Sequence, residues 1–243
     1  MAHKTRKKLT KSELKKDPVN DALMNSMYFL QHHMKQFIMG GIALVVAVLV
    51  VQSLSGNADR QANESLAQYY LAGQMYSMGM ENLRYGDIET SVGQLQGAQQ
   101  IARNNYRTYP GRESGRRSAI LAAKIGIIFG MHSEVIPELQ DFIATDPGTD
   151  LENSASLHLA IALENRGGAN DLLNAQALYR GILENTPEHS QLALESYSGL
   201  SRVLFTLEDY EASRENLDAA LVISEDTTDF VSYQIARLDM VLN

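Results

Sequence analysis

An uncharged, strongly apolar stretch near the N-terminus constrains this chain more than any other feature. Phe37 to Val51 is an unbroken run of apolar residues and glycine, within 23 uncharged residues between Lys35 and Asp59. A helix over residues 36–54 would be about 28 Å long at 1.5 Å per residue, close to the hydrocarbon thickness of a bilayer, about 30 Å. The run therefore predicts a single transmembrane helix over residues 36–54.

Two other interpretations of the run stay open. A buried helix of a globular domain is also apolar, although such helices rarely lack polar positions over this length. A cleaved signal peptide combines a basic stretch, an apolar core and small residues, here Gly56-Asn57-Ala58. The stretch ahead of the run is long for a signal peptide, and it carries a helical pattern of its own.

The charges are distributed unevenly on the two sides of the run. Residues 1–35 contain eight Lys or Arg and three acidic residues, whereas residues 36–243 contain 13 basic and 26 acidic residues. Lys and Arg near a span stay on the cytoplasmic side, and Arg60 is the one basic residue in the twenty that follow residue 54. We therefore expect a protein of the bacterial inner membrane with a cytoplasmic N-terminus and a periplasmic or other extracytoplasmic C-terminal domain.

The segment ahead of the run divides into two parts. Asp17-Pro18 is a typical helix start, and an apolar stripe at helical spacing follows it: Val19, Leu23, Met27, Leu30, Met34 and Phe37. This pattern predicts an amphipathic juxtamembrane helix over residues 17–35. Residues 1–16 are predicted to be a basic cytoplasmic tail that, together with the span, contacts membrane lipids.

Composition excludes several classes of function. The chain has no cysteine, so disulfides, thiolate metal sites and cysteine nucleophiles are impossible. Nucleic acid is not an expected partner, because phosphate binding requires clustered cations on the reading surface and the body of the chain is acidic.

The body, residues 59–243, shows helical spacing throughout and no strand pattern. Tyr85-Gly86-Asp87 predicts a turn between a helix that ends near Arg84 and one that begins near Ile88. Pro110, Pro147 and Pro187 follow amphipathic segments at separations of 37 and 40 residues. Helix-breaking prolines at this spacing predict an all-α row of repeated helix pairs.

The third pair gives the clearest register in a 34-residue frame. Its large and small residues fall at the interlocking positions of the frame, namely Tyr197, Leu200, Ser201, Leu204, Tyr210, Ser213, Leu217 and Ala220. This resembles the tetratricopeptide repeat (TPR), over residues 116–225. The preceding unit fits only with about three extra residues in its turn, Arg166 to Asn170, and Asp229 to Leu242 is predicted to cap the last pair.

The complete layout of basic tail, capped amphipathic helix, span and divergent TPR body resembles the YfgM-type proteins. These are bacterial single-span subunits associated with the Sec translocon and with periplasmic chaperones. The resemblance implies membrane-complex subunits, a translocon or a periplasmic chaperone as partners.

No catalytic pattern is present. The sequence has no phosphate-binding glycine motif, metalloprotease helix or serine elbow, and His132, His158 and His189 are scattered without ligand spacing. We therefore expect no catalytic, cofactor-binding or metal-binding residues, no cofactor and no enzyme activity. An enzyme would require a closed polar cleft with convergent titratable groups.

The TPR frame places a candidate groove on the first helix of each pair. Its positions correspond to Arg117, Ile120, Lys124, Ile127 and Ile128 in one unit, and to Arg202 and Phe205, beside Glu195, Ser198 and Thr206, in another. The basic groups could pair with acidic groups, and the apolar ones could supply contact area. The alternative is that these residues are solvated charges or packing between hairpins.

These observations together predict a membrane-anchored protein-interaction module, acting as an accessory or scaffold subunit of a bacterial envelope complex. The alternative is a structural subunit of a larger membrane machine, held mainly through its transmembrane helix.

Overall fold

The computed structural model describes residues 56–145 and 150–224. The chain divides into two units, residues 1–60 and 61–243. The described residues are all helical, as the sequence predicts, and contain no strand. Helix α1 covers residues 56–84, and seven further helices follow it: α2 Ile88–Thr108, α3 Glu113–Ile128, α4 His132–Thr145, α5 Asp150–Arg166, α6 Ala169–Glu184, α7 Gln191–Thr206 and α8 Tyr210–Ile223.

The helix ends follow local chemistry that the sequence makes visible. Asp87 and Asp209 cap α2 and α8 by accepting hydrogen bonds from the backbone N–H groups of Thr90 and Ala212. Gly86 adopts a positive φ of 82° in the turn between α1 and α2, a conformation that glycine tolerates best. The predicted helix ends on both sides of this turn are confirmed.

The helices pack as a row of hairpins. From α2 onwards each helix contacts the next, and α3 and α5 as well as α5 and α7 also touch. Ala72, Ala102 and Ala122 join α1, α2 and α3 in one small apolar cluster. The odd-numbered helices therefore form one layer and the even-numbered helices the other, which is a helical repeat-like arrangement.

The frame residues pack as large and small partners inside this row. Leu200, Leu204, Leu217 and Ala220 are buried, and the hydroxyls of Ser201 and Ser213 lie 3.1 Å apart. The turn predicted over Arg166 to Asn170, with about three extra residues, is shorter than expected. Helix α5 continues to Arg166 and α6 begins at Ala169, so the turn itself has two residues. The additional length is absorbed by the helices, and Arg166 and Asp171 pair across a turn of two glycines.

The predicted fold class requires a correction. None of the helices in residues 56–145 and 150–224 combines the length and the hydropathy that a membrane span requires. The uncharged stretch 65–80 of α1 is interrupted by polar residues and glycine at Ser65, Gln68, Gly73, Gln74, Ser77 and Gly79. The segments predicted as basic tail, juxtamembrane helix, transmembrane helix and cap, residues 1–16, 17–35, 36–54 and 229–242, lie outside the described residues.

Candidate protein-binding groove

The strongest candidate site is the groove between α1 and α3, called the α1–α3 groove below. At one end it opens into a cleft of about 660 Å³. The cleft is lined by aromatic, aliphatic and basic side chains, with one acidic residue among them: Ala62, Leu66, Tyr69, Tyr70, Gly111, Arg112, Glu113, Ser114, Arg116 and Arg117. Such a mixture of apolar surface and a few convergent polar groups is typical of binding sites.

Two tyrosines of α1 face two cations of α3 across this groove. Tyr69 lies beside Arg117, and the Nζ atom of Lys124 lies 5.0 Å from the centre of the Tyr76 ring. A cation at this distance over an aromatic face is attracted by the ring quadrupole. Both pairs advance by seven residues on each helix, so α1 and α3 run parallel along the groove.

Helix α1 packs against α2 with side chains that lie next to the two tyrosines on the helix surface. Leu95 and Ala98 of α2 pack with Ile125 and contact Met75 and Met80, while Gly79 lies directly under the Leu95 side chain. The residues at Tyr69 and Tyr76 are seven apart and so occupy one face of the helix. Tyr76 also packs at the edge of this cluster, and both tyrosines lie beside the cations of α3.

Buried polar contacts fix α1 against its neighbours. The amide of Asn105 donates hydrogen bonds to the backbone carbonyl of Ser65 at 2.9 Å and to the hydroxyl of Ser118 at 2.8 Å. The hydroxyl of Ser114 donates to that of Ser65 at 2.7 Å. Because Ser65, Asn105 and Ser118 are fully buried, these bonds link α1, α2 and α3 where water cannot compete.

The groove lies in the most basic part of the acidic body, residues 59–243. Residues 103–124 contain six basic residues and one acidic residue, Glu113, in a chain of net charge -8. The Arg117 guanidinium binds Glu113 at 2.7 Å, and this hydrogen bond, with the neighbouring Tyr69, raises the pKa of Arg117. An exposed pair of this kind contributes little stability, about 0.3–0.5 kcal/mol, so Arg117 can exchange its partner at small cost.

Lys124 extends the basic surface toward α5. It is the single lysine after residue 35, its side chain is exposed, and it forms no salt bridge with any residue in the described part of the chain. His158 of α5 lies close enough that the Lys124 charge contributes to its pKa. Burial, with this charge as a second cause, lowers the pKa of His158 to about 4, so the imidazole is neutral at pH 7.

The five groove residues predicted on α3 divide into two groups. Arg117, Lys124 and Ile128 are exposed, as groove residues must be. Ile120 is buried in the main hydrophobic cluster and Ile127 packs against it, so these two side chains contribute to packing between hairpins. The alternative that the sequence left open, packing between hairpins, therefore describes Ile120 and Ile127.

The two residues predicted on α7 lie beyond α5. Glu164 of α5 accepts hydrogen bonds from the Nε and Nη2 atoms of Arg202, at 2.6 and 3.0 Å, and from the hydroxyl of Tyr179 at 2.8 Å. Burial alone would lower the pKa of Arg202, but the hydrogen bonds and charge of Glu164 raise it. The Phe205 ring packs edge-on against Tyr210 at 5.3 Å. Arg202 and Phe205 thus hold α5, α7 and α8 together.

Sequence reasoning did not assign the α1 side of the groove. Leu66, Tyr69, Gly73 and Tyr76 were recognisable as one helix face, but the face had no predicted role in binding. Two signals could have identified it: the sixteen uncharged residues 65–80, and a glycine placed between two tyrosines in the interior of a helix.

No group of three or more His, Asp or Glu side chains within residues 56–145 and 150–224 is placed to hold a metal ion. Comparison with protein-family models gave no match, and comparison with curated proteins gave no significantly similar sequence.

Proposed function

We propose that this chain is a protein-interaction module, an accessory or scaffold subunit of a bacterial envelope complex that catalyses no reaction. The observation that carries the proposal is the α1–α3 groove, in which tyrosines, aliphatic side chains and cations share one open surface. Aromatic residues and arginine are the side chains most enriched at the energetic centres of protein interfaces.

The distribution of exposed apolar side chains supports this function. Of the ten exposed large apolar residues in the described part of the chain, seven lie between residues 66 and 88: Leu66, Tyr70, Leu71, Met78, Leu83, Tyr85 and Ile88. Scattered exposed apolar residues are normal, whereas a concentration on one helix and its turn marks an interaction surface. The first hairpin of the row is therefore the expected contact point.

The finer assignments rest on the sequence resemblances. The register of α7 and α8 supports repeats of the TPR type, and the resemblance to YfgM-type proteins supports the Sec translocon or a periplasmic chaperone as partner. The location of the helical domain in the periplasm stays a prediction.

Site-specific crosslinking in the source cells tests the proposal. The photoreactive amino acid benzoylphenylalanine would replace Tyr70, which is 66% exposed beside the cleft, and, as a matched control, Arg180, which is exposed on α6 in the other layer. We expect one defined protein to crosslink from position 70 and not from 180, and the same protein to copurify with the unmodified full chain. A full chain that purifies alone and crosslinks to nothing from position 70 would contradict the proposal.

A further inference from the structure

Gly73 leaves an open notch in the middle of the α1–α3 groove. A Cβ atom built on Gly73 would meet nothing within 4 Å, whereas Gly79 and Gly97 are covered by Leu95 and Met75. Glycine within a helix costs about 1 kcal/mol relative to alanine. Packing explains the glycines at 79 and 97, but nothing inside the described part of the chain requires one at 73.

Tyr69 and Tyr76 lie on either side of the notch, four residues before and three residues after Gly73 on the same helix face. Each is matched across the groove by a cation, Arg117 and Lys124 respectively. Along α1 the two tyrosine–cation pairs are about 10.5 Å apart, since a helix rises 1.5 Å per residue. A recess with bare backbone thus lies midway between two positive positions.

A partner helix reproduces this spacing. Its residues i and i+7 are also about 10.5 Å apart, and residue i+3 or i+4 lies between them on the same face. Carboxylates at i and i+7 would meet Arg117 and Lys124, and an aliphatic side chain at i+3 would enter the recess over Gly73. The excess of basic residues in 103–124 favours an acidic occupant, and the acidic remainder of the chain opposes a polyanion as dense as nucleic acid.

We propose that the α1–α3 groove binds an acidic amphipathic helix of a partner protein, with an aliphatic side chain over Gly73 and carboxylates at Arg117 and Lys124. This inference rests on the proposed function, because it specifies the partner that the module recognises. Arg117 would exchange the exposed Glu113 for the carboxylate of the partner.

Peptide binding to the purified full chain tests the inference. The probe is a fluorescein-labelled helical peptide of alanine and glutamine with Glu at i, Leu at i+3 and Glu at i+7, followed by fluorescence anisotropy. We expect binding that weakens at high salt. Replacing Leu by Gln in the peptide should reduce its affinity about tenfold, because burial of a leucine side chain stabilises a complex by about that factor. Equal binding of the Leu and Gln peptides would overturn the proposal.

Two pairs of variants locate the binding. Gly73→Leu fills the recess and is expected to reduce affinity about tenfold or more while the helix becomes more stable. Gly93→Leu, at an exposed position of α2 where a Cβ also meets nothing within 4 Å, should leave binding unchanged. Lys124→Glu should abolish salt-sensitive binding, whereas Arg180→Glu, the same charge reversal on α6, should not. The groove assignment would be contradicted if Gly73→Leu binds the peptide with wild-type affinity. It would also be contradicted if the groove variant and its control lose the same affinity in both pairs.

Two outcomes separate this inference from the proposed function. If the partner crosslinked from position 70 is retained by both Gly73→Leu and Lys124→Glu, the interaction module stands and the acidic helix is wrong. If the peptide fails to bind but phosphatidylglycerol vesicles bind in a manner that Lys124→Glu removes, the groove recognises lipid and the inference is overturned.

Discussion

The ring of Tyr179 lies against the backbone of Gly199. A Cβ atom at position 199 would come closer than 3.0 Å to the Cζ, Cε1 and Oη atoms of this tyrosine. Tyr179 is fully buried on α6, and its hydroxyl donates a hydrogen bond to Glu164 of α5. The missing side chain at Gly199 of α7 therefore makes room for a tyrosine that connects three helices.

Gly199→Ala should destabilise the protein by about 1–3 kcal/mol, because the added methyl group must displace a ring held by a hydrogen bond. Gly181→Ala on α6 is the matched control, since a Cβ at that position meets nothing within 4 Å. The control should be neutral or stabilising by about 0.5–1 kcal/mol. Urea unfolding of both variants measures the difference, and equal effects would show that Tyr179 does not fill the space at Gly199.

The contacts of Glu164 predict strong coupling between α5 and α7. Replacing either Glu164 or Arg202 by leucine should cost about 2–3 kcal/mol, because a half-buried charge loses its partner. The double variant should cost clearly less than the sum, since no charge is then left unpaired. Tyr179→Phe should cost about 1 kcal/mol. A double-mutant cycle in urea provides the test, and additive free energies would show that the ion pair is not coupled.

His158 should make the stability of the fold depend on pH. Its pKa is about 4 in the folded protein, lowered by burial and by Lys124, against 6.5 when unfolded. The unfolded state therefore binds more protons between these values, so stability is full above pH 6.5 and falls as the pH falls toward 4. The free energy of unfolding should decrease by up to about 1.4 kcal/mol per pH unit in this window.

The matched variants for this prediction are His158→Gln and His189→Gln. His158→Gln should flatten the dependence between pH 7.5 and 5, whereas His189→Gln, at an exposed position, should not change the slope. An unaltered slope in His158→Gln would assign the pH dependence to other groups.

Asn105 is expected to anchor α1. Asn105→Ala removes the hydrogen bonds to Ser65 and Ser118, and it should cost about 1–3 kcal/mol because their buried oxygens lose a donor. Hydrogen exchange in residues 65–80 should accelerate more than in α7. Asn104→Ala, at the exposed neighbouring position, is the control and should leave exchange unchanged. Uniform acceleration along the chain would indicate global destabilisation instead.

Local patterns in the sequence were sufficient for the helices and for most of their ends. Tyr85-Gly86-Asp87 predicted the first turn correctly, since glycine conformation and an aspartate cap act on residues only a few positions away. The burial of Leu200, Leu204 and Leu217 follows from helical spacing for the same reason. The turn at Arg166 to Asn170 was predicted wrongly, because a repeat frame does not show whether added residues extend a loop or a helix.

Local sequence patterns therefore predict amphipathic helix pairs for this part of the chain, and the repeat frame places Arg117 and Lys124 among its groove positions. Three features follow from long-range packing instead: Ile120 and Ile127 pack inward, Arg202 binds Glu164 from a position 38 residues away, and Tyr69 and Tyr76 lie beside the cations of α3. The reason is physical: helical periodicity is set by neighbours three and four residues apart, whereas the choice of which helix covers a given face depends on how side chains far apart in the chain fit together.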